Sequence, residues 1–223
     1  MEFLLDSADP QEIEEVKSWG LISGVTTNPT LYGKQADDFI KRLQEILEVS
    51  PGCVYTQVIG ADDREDMVRQ ARWIASQSEK IIVKLPMTNA GIQSCLQLKK
   101  ESPEIKIAIT AVATMAQAFL CGKAGADVCA LFNGPLDLEV DTAFDLVTPV
   151  KKIYANYGYQ TKVLSACRYA RTFAEYCAAG TDICTLKKEF HQLLYEHAYT
   201  DKRMRGFLGD WEGKFGDQKW PQP

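Results

Sequence analysis

Lys80-Ile81-Ile82-Val83-Lys84-Leu85 reads as one β-strand and Ile105-Lys106-Ile107-Ala108-Ile109-Thr110 as the next. Pro86 to Glu104 lies between them, long enough for the helical crossover that joins parallel neighbours. The same alternation runs outward in both directions. Six further strands are predicted at Phe3 to Asp6, Leu21 to Thr26, Cys53 to Ile59, Asp127 to Phe132, Thr161 to Ser165 and Asp182 to Thr185. Helical spacing of apolar residues marks Pro10 to Trp19, Asp37 to Val49, Asp63 to Ser76 and Asp141 to Asn156. Eight strand-helix pairs imply an α/β protein whose parallel sheet closes into a single (β/α)8 TIM barrel spanning residues 1–223. An open doubly wound sheet is the runner-up, against which stand the count of eight and the lack of a Gly-rich first turn.

An additional C-terminal helix, about 201–216, places Met204, Phe207, Leu208, Trp211 and Phe215 on one face. That stripe packs either on its own barrel, on a neighbouring subunit or over the barrel mouth. The tail Trp220 to Pro223 is expected to fray.

Composition narrows the partners. Thirty acidic and twenty-five basic residues give a formal charge of -5, and the basic residues are scattered, so no nucleic-acid footprint is present. The longest uncharged stretch, Ile107 to Gly122, contains Thr110, Thr114 and Gln117 and falls short of a bilayer span, so no membrane is expected. Met1 to Asp6 lacks a cationic leader, which points to the cytoplasm. Seven cysteines, odd in number and without a C-x-x-C pair, argue against a disulfide framework. His191 and His197 have no carboxylate at metal-ligand spacing and read as surface helix residues, so no metal is expected. G-x-S-x-G, G-x-G-x-x-G and P-loop signatures are missing. Small molecules and copies of the chain itself remain as partners.

Strand parity then selects candidate chemistry. Ile81, Val83 and Leu85 share a face suited to the helix layer, which turns Ile82 and Lys84 into the barrel. Burial disfavours an ammonium and lowers its pKa, the condition for an amine that attacks carbonyls. The same rule pairs Leu4 with Asp6, Tyr55 with Gln57, Ala108 with Thr110, Ala130 with Phe132, and Val163 with Ser165 and Cys167 as inward residues. Each has a plainer reading. Lys84 can snorkel before Pro86, Asp6 can cap the turn before the first helix, Thr110 can be an ordinary strand residue and Gln57 a polar end. Cys167 can be a small buried hydrophobe. Together, however, an amine, a carboxylate, an amide and a hydroxyl at one mouth are what a Schiff-base site needs.

Several segments carry a family likeness: Leu5-Asp6-Ser7-Ala8, Gly24-Val25-Thr26-Thr27-Asn28-Pro29-Thr30, Gln57-Val58, Ile82-Val83-Lys84-Leu85-Pro86-Met87-Thr88, Ile109-Thr110-Ala111-Val112 and Phe207 through Gly216. They resemble the transaldolase family, specifically its short subgroup containing the fructose-6-phosphate aldolases, and they run in order from residue 2 to about 216. The resemblance implies a class I aldolase or transaldolase acting on ketose sugars or sugar phosphates, with cleavage or transfer of a dihydroxyacetone unit. Lys84 would form the Schiff base, and Asp6 would handle protons. Asn28, with Thr26 beside it, would bind the dihydroxyacetone hydroxyls, and Gln57 and Thr110 would position a water. No cofactor would be needed, because the iminium is itself the electron sink. The resemblance also implies ring-like homo-oligomers, commonly decamers, in which the C-terminal helix reaches a neighbour.

Four positions depart from the family pattern. Phe132 stands where the short aldolases carry tyrosine, as in transaldolases, whereas Gln57 matches the aldolases and replaces the transaldolase glutamate. Pro135 replaces an arginine. Cys167 replaces the serine that is followed two residues on by a basic residue, so Arg168 or Arg171 would supply the phosphate charge from a shifted register, beside Ser165. Two alternatives follow: an aldolase for unphosphorylated or unusual ketoses, and a sugar-binding barrel with weak turnover.

Overall fold

The computed structural model describes residues 1–133 and 145–221. Its strands are β1 (Glu2–Asp6), β2 (Gly24–Thr26), β3 (Cys53–Gln57), β4 (Ile81–Pro86), β5 (Ile107–Val112), β6 (Val128–Leu131), β7 (Lys162–Ala166) and β8 (Ile183–Leu186). They pair in parallel, each with the next, and β8 returns to β1, so the sheet is the closed barrel that the alternation predicts. Around it lie α1 (Pro10–Ser18), α2 (Pro29–Gln35), α3 (Phe39–Val49), α4 (Arg64–Ser76), α5 (Asn89–Glu101), α6 (Met115–Lys123), α7 (Val147–Tyr157), α8 (Ala170–Ala178), α9 (Lys188–Leu193) and α10 (Ala198–Phe215). The predicted helix at Asp141 to Asn156 begins only at Val147, and residues 141–144 lie outside the described residues.

Helix starts are written locally. Asp9, Asn28, Asp38, Asp63, Thr88 and Thr114 each accept a first-turn backbone N–H, and Pro10 and Pro29 open the two helices where a missing N–H costs nothing. The strands separate two cores. One lies between barrel and helices and takes Leu5, Val25, Val83, Leu85 and Ile109. The other fills the barrel with Leu4, Tyr55, Ala108, Val128, Ala130, Leu164 and Ile183. Tyr55 is its largest member. In the barrel wall Gly24 is the register partner of Cys53, and a Cβ there would lie 2.5 Å from the Cys53 carbonyl oxygen.

Four expectations are corrected. Leu164, not Val163, points into the barrel, so Ser165 and Cys167 face the helix layer with Val163. Ser165 Oγ lies 3.0 Å from Thr181 Oγ1, a partner on the outer side that makes the polar residue stable there. His191 is buried rather than on the surface. Its Nε2 lies 3.1 Å from the Leu4 carbonyl oxygen, its ring packs 4.3 Å from Phe3, and burial lowers its pKa. Finally, α10 does not pack on its own barrel, since none of its residues is buried. Nor is Trp220 frayed, because it packs 5.8 Å from Trp211, whose Nε1 donates to Gln218 O; residues 222 and 223 of the predicted tail lie outside the described residues.

All seven cysteines are free thiols. Among the described residues no helix is long and apolar enough to cross a membrane, and no cluster of His, Cys, Asp and Glu could hold a metal.

Candidate active site

Lys84 enters the barrel from β4 between Val83 and Leu85, which face the helices. Only 7% of it is exposed, and Nζ donates to the Thr27 carbonyl oxygen at 2.9 Å, so the side chain does not snorkel. Desolvation lowers its pKa to about 8 from an ordinary 10.5, with the Asp6 carboxylate opposing the shift. A usable fraction of neutral amine is therefore present near neutral pH.

Asp6 ends β1 and is buried. In the turn before α1 it is Ser7 Oγ that accepts the Asp9 N–H, and Asp9 that caps the helix, so the plainer reading of Asp6 as the cap of that turn fails. Instead its Oδ1 accepts the Thr26 hydroxyl at 2.9 Å, and Thr26 Oγ1 lies 2.7 Å from Thr185 Oγ1 on β8. Gln57 ends β3 and is the register partner of Lys84, while Thr110 pairs with Pro86 on the other side. Thr110 Oγ1 is buried without a hydrogen-bond partner among the described residues, which suits a donor reserved for a bound oxygen. Just beyond it Ala111 adopts a positive φ of 61°, where the β5–β6 register shifts. Thr110 and Ala111 thus both reach the cavity, although a strict strand would turn one away.

These strand ends open into a cavity of about 610 Å³ at the C-terminal face of the barrel, lined by Asp6, Asn28, Gln57, Thr110, Phe132 and Arg168 among others. Asn28 caps α2 through Oδ1, which accepts Leu31 N–H at 3.1 Å, leaving Nδ2 as its donor toward a ligand. Arg168 Nη1 holds the Cys167 carbonyl oxygen at 3.0 Å. The rim also carries Lys34, Lys187, Glu12 and Glu189.

Of the residues singled out in the sequence, Asp6, Gln57, Thr110, Asn28, Phe132 and Arg168 converge on this cavity, with Thr26 behind it bonded to Asp6 and Lys84 buried beside it as the register partner of Gln57. Three do not. Ser165 and Cys167 lie behind the barrel wall, and Cys167 Sγ is 3.9 Å from Cys184 Sγ. Arg171 pairs with Glu175 on the exposed face of α8, where one helical turn brings the two together. Pro135 lies outside the described residues. The sequence reading passed over Thr185 and Lys187, although both stand at the C-terminal end of β8, where the rule applied to the other strands would have found them.

The pattern of the transaldolase/fructose-6-phosphate aldolase family matches residues 3–215. A probable transaldolase of Kosmotoga olearia is 39% identical over 95% of this chain and 96% of its own length. One of Coprothermobacter proteolyticus is 37% identical over 95% and 96% of the two chains. The probable transaldolase 2 of Listeria monocytogenes is 36% identical with the same coverage. Lys84, Asp6, Gln57, Thr110, Asn28 and Thr26 lie in the motifs on which the family likeness rests, and the chain belongs to the transaldolase/fructose-6-phosphate aldolase family.

Proposed function

We propose that this enzyme makes and breaks a carbon-carbon bond through a Schiff base on Lys84, with a ketose phosphate such as fructose-6-phosphate as donor. The observation that carries the reading is the buried Lys84, its pKa held at about 8 and under the influence of the Asp6 charge, as the register partner of Gln57 at a strand end where Asp6, Gln57 and Thr110 line one cavity. Neutral Nζ attacks the C2 carbonyl, and loss of water from the carbinolamine leaves an iminium. Asp6 takes the proton of the C4 hydroxyl. The C3–C4 bond electrons then pass to the iminium nitrogen, releasing an aldehyde and leaving a dihydroxyacetone enamine. Transfer follows when the enamine attacks a second aldehyde. Release of dihydroxyacetone instead requires protonation at C3 and attack of water on the iminium. Gln57 is an amide and can orient that water with Thr110 but cannot take its proton. Asn28 and Thr26 hold the three-carbon unit.

Arg168 is the guanidinium at the cavity and supports binding of an anionic substrate end. A second reading, an aldolase for unphosphorylated ketoses, is favoured by the placement of Cys167 and Arg171 away from the cavity. We further propose that the chain self-assembles through α10, whose Met204, Phe207 and Leu208 are each more than half exposed.

Borohydride trapping with fructose-6-phosphate and, separately, dihydroxyacetone tests the chemistry. A reduced three-carbon adduct mapped to Lys84, and lost in Lys84→Ala, is expected. No adduct with either compound would turn the reading toward a sugar-binding barrel with weak turnover. Cleavage rates for phosphorylated and unphosphorylated ketoses separate the two substrate readings.

A further inference from the structure

Thr26 has a single hydroxyl hydrogen and two oxygen neighbours, Asp6 Oδ1 at 2.9 Å and Thr185 Oγ1 at 2.7 Å. An ionised carboxylate only accepts, so the Thr26 hydrogen lies toward Asp6. The short contact to Thr185 is then a bond in which Thr185 donates to Thr26. The order Thr185 to Thr26 to Asp6 is fixed by counting hydrogens. All three residues are buried, and they come from β8, β2 and β1, so the strand carrying Asp6 is gripped from both of its neighbours. We propose that Thr185 is a positioning residue, acting through Thr26 to orient the Asp6 carboxylate and to direct the substrate's proton to Oδ2.

Thr185 acts through polarisation and through occupancy of one carboxylate oxygen. A hydroxyl that receives a hydrogen bond donates a stronger one, so Thr185 strengthens the hold of Thr26 on Oδ1. With Oδ1 occupied as an acceptor, Oδ2 is the oxygen left to take a proton from a bound sugar hydroxyl. Were Asp6 to carry the proton on Oδ1, both hydroxyls would have to reverse, and the Thr185 hydrogen would need a new acceptor. Without Thr185 the Thr26 hydroxyl is held from one side only, and the Asp6 carboxylate is less firmly oriented. The titratable groups that line the cavity with Asp6 are Glu12, Lys34, Arg168, Lys187 and Glu189, and the buried Lys84 feels the Asp6 charge from β4. None of them is bonded to Thr26 or Thr185 among the described residues, so the relay can be altered without touching them.

The assignment rests on the Schiff-base reading, and the experiment keeps the two apart. Wild type, Thr185→Val and Thr185→Ser are compared by borohydride trapping with dihydroxyacetone and by kcat and KM for fructose-6-phosphate cleavage. Thr185→Val is expected to trap dihydroxyacetone on Lys84 like wild type while kcat falls about tenfold and KM stays within about twofold. Thr185→Ser keeps the hydroxyl and is expected within about twofold of wild type. A valine variant with the wild-type kcat would overturn the proposal, as would a serine variant that loses as much as valine, because packing alone would then be at work. Should the valine variant not fold, Thr185→Ala is read against the same split of kcat from KM and the same serine control. Failure of the wild type to form any adduct would overturn the Schiff-base reading itself, and the relay with it.

Discussion

Lys84 is held in the folded chain at a cost. Its pKa of about 8 against an ordinary 10.5 corresponds to about 3 kcal/mol of lost stability wherever both folded and unfolded chains carry the proton. Below pH 8 that penalty is complete. Between pH 8 and 10.5 the unfolded chain binds more protons than the folded one, so stability rises with pH, and above 10.5 the penalty is gone. Lys84→Met is therefore expected to be more stable than wild type by about 2–3 kcal/mol near pH 7, with the gap closing by pH 10. Urea unfolding at the two pH values checks this, and an equal gap at both would count against it. Phe132, at the cavity wall, offers no proton. Phe132→Tyr is expected to raise dihydroxyacetone release relative to transfer by about tenfold, within the range a positioned general acid supplies. A product ratio unchanged from wild type would sink that assignment. Arg168→Ala is expected to raise KM for fructose-6-phosphate about tenfold while leaving unphosphorylated fructose unaffected, as loss of a charged bond implies. Equal KM changes for both sugars would mean that Arg168 does not meet the phosphate.

The turn from β4 into α5 carries Lys84's strand end into a helix with no room to spare. A Cβ at Gly91 would lie 2.0 Å from the Pro86 carbonyl oxygen, and backbone cannot yield as a flexible side chain would. Gly91→Ala is expected to cost at least about 2 kcal/mol, whereas Gly33→Ala in α2, where a Cβ meets nothing within 4 Å, is expected to stabilise by up to about 1 kcal/mol. Thermal unfolding of the pair checks the contrast, and equal shifts would refute it. Elements were legible in the sequence where their signals are local. The caps at Asp9, Asp38 and Asp63 sit within a residue or two of the predicted helix starts. β7 misled because Val163-Leu164-Ser165-Ala166 is apolar on both faces apart from one serine, and a slip of one residue reverses every side chain. The serine suggested the inside; Thr181, sixteen residues on, satisfies it outside.

For the molecule as a whole, α10 is the element without a core. Phe207 and Leu208 are exposed beside Arg203, whose guanidinium lies 4.5 Å from the Phe207 ring centre. Charging the stripe with Phe207→Glu and Leu208→Glu is expected to leave the barrel folded and to shift sedimentation toward a single-chain species. A wild type that already sediments as one chain would count against self-assembly.

Strand and helix periods, caps and the inward lysine could be read directly because each depends on residues within a turn or a strand of one another. Barrel closure followed from counting eight such units. Convergence did not follow from any local pattern. Thr26 meets Thr185 across 159 positions and His191 meets the Leu4 carbonyl across 187, pairings that exist only because β8 closes against β1. The hydroxyl supporting Asp6, the buried histidine and the outward turn of Ser165 were settled by that closure. Which face of a short strand is inside, and which partner satisfies a polar atom, is a property of the packed whole.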